Sequence, residues 1–184
     1  MSEDDTDRVA AVAAAAHKDE PTVTREGRSR PAPIDGVVVE RTVIHADNRG
    51  ALIPFIDTRR PFWSEPVVYA YCFTIRPGVI KGWGKHDLQM DRYFVARGHV
   101  RVALFDGRED SPTRGAVHEV YFAPETPGVV CIPPGVWHAD QNWGDQDAIV
   151  MNFPTRPYDP DVPDKYRIDP HAGVIPFDWT LRDG

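Results

Sequence analysis

Two short stretches of this 184-residue chain set an imidazole beside tight turns. The first runs from Gly78 to His86 and continues to a carboxylate at Asp91 and a glycine at Gly98. The second runs from Gly128 through Pro133, Pro134 and Gly135 to His138, with Asn142 beyond. Histidine titrates near neutral pH, so His86 and His138 are candidates for general acid–base work. Two imidazoles and a carboxylate also suffice for a non-haem iron site, which makes His86, Asp91 and His138 a candidate metal set. Side chains on a strand alternate with period two, so residues 84 and 86 share a face. A small barrel can aim such faces from several strands into one cavity.

The elements that must position these residues are short strands. The chain carries 18 prolines and 14 glycines, which punctuate it too densely for long helices. Val37–Ile44, Ala51–Ile56, Arg92–Ala96, Val100–Phe105, Val117–Phe122, Val129–Ile132, Trp137–Asn142 and Asp147–Phe153 are short strand-forming runs. Val67–Ile75 alternates most clearly, with Val67, Tyr69, Tyr71, Phe73 and Ile75 on one face. Arg97-Gly98 marks a hairpin. The pattern predicts an all-β, antiparallel jelly-roll barrel over about residues 36–153. Residues 1–35 read as a flexible N-terminal extension, with a short helix conceivable over Asp7–Lys18, and residues 154–184 as an irregular wrapping tail.

Asp and Glu outnumber Lys and Arg to leave a formal charge of −7, which argues against a nucleic-acid partner. A local basic pocket for one phosphorylated ligand remains compatible with an acidic protein. No apolar run reaches the roughly 18–20 residues of a membrane helix, and the acidic start is unlike a secretory signal. The expectation is a cytoplasmic protein without a membrane partner, in which Cys72 and Cys131 are reduced core thiols.

The two histidine stretches resemble the paired cupin motifs, with departures. Gly84 stands where the first motif carries its first histidine, Asp91 stands where it carries glutamate, and the second motif is one residue short before its proline. A narrower resemblance is to the dTDP-4-dehydrorhamnose 3,5-epimerase family. Asp47-Asn48-Arg49-Gly50, Gly78–Gly84, Asp106–Gly115 with its Ser111-Pro112-Thr113, Ile132–His138, Thr155–Tyr158 and Asp169–Gly173 match that family's segments in order. The resemblance implies a cupin jelly roll, a homodimer, no cofactor, and proton removal beside the ketone of a dTDP-4-keto-6-deoxyhexose. Carried over by position, Arg49 and Lys81 would hold the nucleotide phosphates and Tyr158 would lie near the base. His138 would be a pocket histidine and Asp169 the orienting partner of a catalytic base. Trp83 and Trp137 adjoin the motifs and could stack on a sugar or base ring; with Gln89 they complete the candidate substrate-binding set.

The family's catalytic base falls at Gly84, its acid tyrosine near Val150–Met151, and its enolate-stabilising lysine at Asp91. Standard double epimerisation is therefore not expected, and a shifted base at His86 becomes the candidate. Three readings share the barrel. The first is a divergent nucleotide-sugar epimerase or isomerase with His86, His138 and Asp169 as catalytic residues. The second is a metal-dependent cupin, an oxygenase or isomerase holding a divalent ion such as Fe or Zn. The third is a non-catalytic sugar- or nucleotide-binding cupin. His99 and His118 are expected to face solvent.

Overall fold

The computed structural model describes residues 3–16, 18, 21–25 and 34–181. The chain divides into two units, Met1–Arg30 and Pro31–Gly184. The first contains the helix α1, Glu3–Ala15. It is the Ala-rich stretch, and its apolar positions are exposed, Val9 and Val12 among them. Residues 26–33, part of the expected flexible extension, lie outside the described residues. Among the described residues no helix is long and apolar enough to cross a membrane.

The second unit is the expected antiparallel jelly roll. Its strands are β1 Val38–Arg41, β2 His45–Asp47, β3 Gly50–Leu52, β4 Tyr71–Ile75, β5 Ile80–Lys85 and β6 Asp91–Arg97. They continue with β7 Val100–Asp106, β8 Val117–Phe122, β9 Gly128–Ile132, β10 Val136–Asn142, β11 Ala148–Asn152 and β12 Tyr166–Arg167. One sheet has the order β1-β9-β6-β11-β4 and the other β12-β5-β10-β7-β8, while β2 and β3 form a separate hairpin. Buried aliphatic residues such as Val102, Leu104, Val130, Ile132 and Val150 fill one main core. Asp91, Tyr93 and Val95 share one face of β6, and Val136, His138 and Asp140 share one face of β10, as period two requires. Their neighbours serve other clusters. Phe94 packs with Trp63 and Phe153, and Ala139 with Trp83 and Ile175.

Several elements differ from the sequence expectation. Residues 67–70 lie outside β4 and are exposed. Just before them the backbone is tethered by a side chain, since Arg92 donates to the carbonyls of Glu65 and Pro66 at 3.0 and 3.2 Å. Cys72 is exposed on edge strand β4, and only Cys131 is a buried thiol. His99 and His118 are half-buried rather than open to solvent, with the His99 ring 4.7 Å from that of Trp143. The core begins at Ile34, which is fully buried, slightly before residue 36. The tail also forms the short strand β12, paired with β5.

Candidate functional site

A cavity of about 690 Å³ opens on the second unit. Its floor comes from β5, β6 and β10. Asp140 of β10 faces Lys81 of β5, while His138 faces Gly84, so three steps on β5 oppose two on β10. This bulge brings Lys81 onto the same face as Gly84. His86 follows directly after β5, and all five residues line the cavity.

Asp91 lies between the two imidazoles. The Nε2 atoms of His86 and His138 each sit 3.4 Å from its Oδ2. The rings are nearly parallel, with centroids 5.8 Å apart. The carboxylate is held from the other side, where Gln89 and Asn152 donate to Oδ1 at 2.8 and 2.9 Å. Tyr93 donates its hydroxyl to Oδ2 at 3.3 Å. The Nδ1 atoms face carbonyls, that of Asp164 for His86 and that of Val136 for His138. Each Nδ1 therefore carries the hydrogen, and each Nε2 is left buried with no hydrogen-bond partner. Burial pushes His138 down to about 4 against the pull of Asp91, so its imidazole is neutral at neutral pH.

Three further groups complete the chemistry. Asp140 is buried, its Oδ1 has no hydrogen-bond partner, and burial pushes its carboxyl up to about 7. Tyr71 stands on the wall opposite Asn152, whose Nδ2 donates to the phenol oxygen at 2.9 Å. Burial, helped by Asp91, pushes the phenol up to about 12, so it stays protonated. Lys165, from the tail, reaches into the cavity over Gly84, and burial lowers its pKa.

The structure therefore brings His86, Asp91, His138, Lys81, Gln89 and Tyr158 to the cavity. Gln89 lends its amide to Asp91, and Tyr158 stands exposed on the rim. Four candidates lie outside the cavity lining. Trp83 and Trp137 are one residue removed from cavity positions, so the pleat turns them to the outer face of their sheet, where the tail's Phe177 and Trp179 pack. Arg49 sits in the exposed turn between β2 and β3, with its guanidinium on Asp47 at 2.6 Å. Asp169 is exposed and accepts from the His171 backbone N–H at 2.8 Å, an Asx turn away from both imidazoles. Position 150 supplies a core valine; the polar residue of β11 in this cluster is Asn152. The Ser-Pro-Thr loop is a structural hub. Arg108, Ser111 and Thr113 all bond the buried Asp106 carboxylate, at 2.9, 2.5 and 2.6 Å.

Asp140 was within reach of the sequence, being two residues past His138 on one strand. Tyr71 and Asn152 meet only through strand register. Lys165 carries no sequence signal, because an irregular tail has no periodicity to read.

Residues 45–166 match the family described as the polysaccharide biosynthesis C-terminal domain. The spore coat polysaccharide biosynthesis protein SpsL of Bacillus subtilis is 35% identical, over 81% of this chain and 98% of its own. The probable low-salt glycan biosynthesis epimerase Agl13 of Haloferax volcanii is 34% identical, over 81% and 96%. Among solved structures, a dTDP sugar isomerase from Desulfovibrio desulfuricans G20 superposes with a TM-score of 0.76 at 28% identity, covering 84% of this chain and 98% of that one.

Proposed function

The chain belongs to the polysaccharide biosynthesis C-terminal domain family, and on that premise we propose that its cavity binds a nucleotide sugar of the dTDP-4-keto-6-deoxyhexose type and exchanges a proton on the carbon beside the ketone. The names of Agl13 and of the Desulfovibrio isomerase point to this class of reaction. The observation that carries the reading is the cavity floor, where a buried carboxylate backs two imidazoles beneath a tyrosine hydroxyl. His138 is the base. It is neutral at neutral pH, and Asp91 stabilises the imidazolium that forms when it takes the proton. Tyr71 is the acid, because Asn152 occupies its oxygen as a donor and leaves the phenolic hydrogen to be given away. Lys81 at the mouth offers a cation to the diphosphate, as a point charge rather than a bidentate fork. Double epimerisation at two carbons is not expected, since position 84 offers no second base. The test is calorimetry with dTDP and a dTDP-4-keto-6-deoxy sugar. Saturable binding of both, with the sugar held more tightly, is expected; binding of neither overturns the proposal.

One observation favours a second reading. Both Nε2 atoms are bare, buried and aimed with a carboxylate oxygen at one point, and each Nδ1 faces a carbonyl. Metal-ligating histidines are oriented in this way. His86, Asp91 and His138, whose ligand atoms lie within 4.8 Å of one another, would hold a divalent ion such as Zn or Fe. Such an ion would polarise the ketone as a Lewis acid. Elemental analysis after dialysis against each ion decides. Metal retained by the wild type and lost in Asp91→Ala supports this reading, and no metal in the wild type excludes it.

A further inference from the structure

Lys165 is a cavity group whose position neither histidine motif explains. Its segment is pinned on both sides. Just before it, the Asp164 carboxylate accepts the backbone N–H groups of Asp87, Leu88 and Gln89 at 2.8, 2.9 and 3.2 Å. The carbonyl of Asp164 meets His86 Nδ1. Just after it, Tyr166 and Arg167 pair with Lys85 and Gly84. Between these anchors the Lys165 side chain lies across Gly84. A Cβ added at Gly84 would stand 3.3 Å from Lys165 Cε, 3.4 Å from Nζ and 3.6 Å from His138 Nε2. The glycine thus leaves the space that the lysine fills, beside the imidazole. Burial lowers the pKa of this half-buried lysine; Asp91 and Asp140 are close enough to favour its ammonium form, while Arg167 and Lys81 oppose it.

We propose that Lys165 is a catalytic residue of this cavity, its ammonium holding the substrate's carbonyl oxygen as negative charge develops there, and that Gly84 is a glycine to admit it. The proposal rests on the reading of the cavity as a keto-sugar site. In the step, the base takes the proton from the carbon beside the ketone. The C–H electron pair forms a carbon–carbon double bond, and the carbonyl π pair moves to oxygen as an enolate. Return of a proton to the same carbon restores the ketone, so nothing is oxidised or reduced. An oxyanion forming near the Asp91 carboxylate without a cation would be repelled, and Lys165 supplies that cation. Because the lysine comes from the tail, the tail is part of the active site, and Asp164 is a positioning residue.

The experiment compares wild type, Lys165→Met and Gly84→Val by solvent-deuterium exchange into a dTDP-4-keto-6-deoxy sugar, with dTDP affinity measured alongside. Lys165→Met is expected to lower kcat by about 10²–10³-fold, the usual effect of losing one group that stabilises an oxyanion. Its dTDP affinity should stay near that of wild type, because dTDP has no ketone. Gly84→Val keeps the lysine but displaces it, and should lower kcat with the fold intact by circular dichroism. A raised KM and weakened dTDP binding with kcat unchanged in Lys165→Met would assign the lysine to phosphate and overturn the proposal. Exchange at the wild-type rate in both variants would overturn it as well, leaving the cavity reading in place. No exchange by wild type on any keto-sugar nucleotide would fail the cavity reading and take the role of Lys165 with it.

Discussion

Tyr71 carries the proton-donor role because of what its oxygen already accepts. Asn152 donates to it and to Asp91, so the phenol oxygen is the acceptor in that contact and its hydrogen stays available to be given away. Tyr71→Phe removes that hydrogen and leaves the ring in place. It should lower exchange by roughly 10²–10⁴-fold, the ordinary worth of a positioned acid, with dTDP affinity unchanged. A Phe variant that exchanges at the wild-type rate would return the acid role to another group. At this scale the sequence was partly readable. His86, Asp91 and His138 could be placed together because motif spacing on a pleated strand determines the face. The same alternation turns Trp83 and Trp137 to the outer face of their sheet. Tyr71 and Asn152 required knowing which strands are neighbours, and Lys165 required the course of an irregular tail.

The hairpins and the loop that closes the core give two predictions at the scale of elements. Gly98 turns β6 into β7 with φ +91, and a Cβ there would lie 2.8 Å from the Ala148 backbone. Gly98→Ala meets a backbone strain and a contact that cannot give way, and should destabilise by about 1–3 kcal/mol in urea unfolding. Asp106 is buried with three side-chain partners, and the hydrogen bonds from Arg108, Ser111 and Thr113 hold its carboxyl far below the usual carboxylate range. A carboxyl depressed in the fold contributes stability that is complete above its unfolded value of about 3.9 and is lost as pH falls toward the folded value. Stability should therefore drop below about pH 4 in wild type. Asp106→Asn should cost roughly 1–3 kcal/mol at pH 7 and flatten that acid limb. An unchanged acid limb in the variant would contradict the assignment. Strand positions from β6 to β11 followed the apolar runs and their Pro/Gly boundaries closely. Where the chain relies on side-chain tethers, as before β4, or on pairing by two tail residues, as in β12, periodicity had nothing to register.

On the scale of the whole molecule, β1 and β4 are the outermost strands of the first sheet. Edge strand β1 exposes Val38, and edge strand β4 follows exposed Val67, Val68 and Tyr69. Edge strands with exposed apolar side chains seek partners, so the chain is expected to form a homodimer. Light scattering at high concentration should give twice the chain mass, and a strictly monomeric mass would contradict this. The fold class was legible because turn residues recur at short intervals along the chain. The reaction is not fixed by the fold, since one barrel supports epimerases, metal oxygenases and binding proteins alike. It depends on whether the cavity floor moves a proton. The direct measurement is incubation of the protein with a dTDP-4-keto-6-deoxy sugar in D2O, with and without a chelator, followed by NMR of the ring protons. Deuterium is expected at a carbon beside the ketone in the absence of chelator, and its loss is expected in His138→Ala. Loss with chelator as well would assign the ketone's activation to an ion on His86, Asp91 and His138. No incorporation in either condition, in protein that binds dTDP, would contradict catalysis and leave a binding cupin.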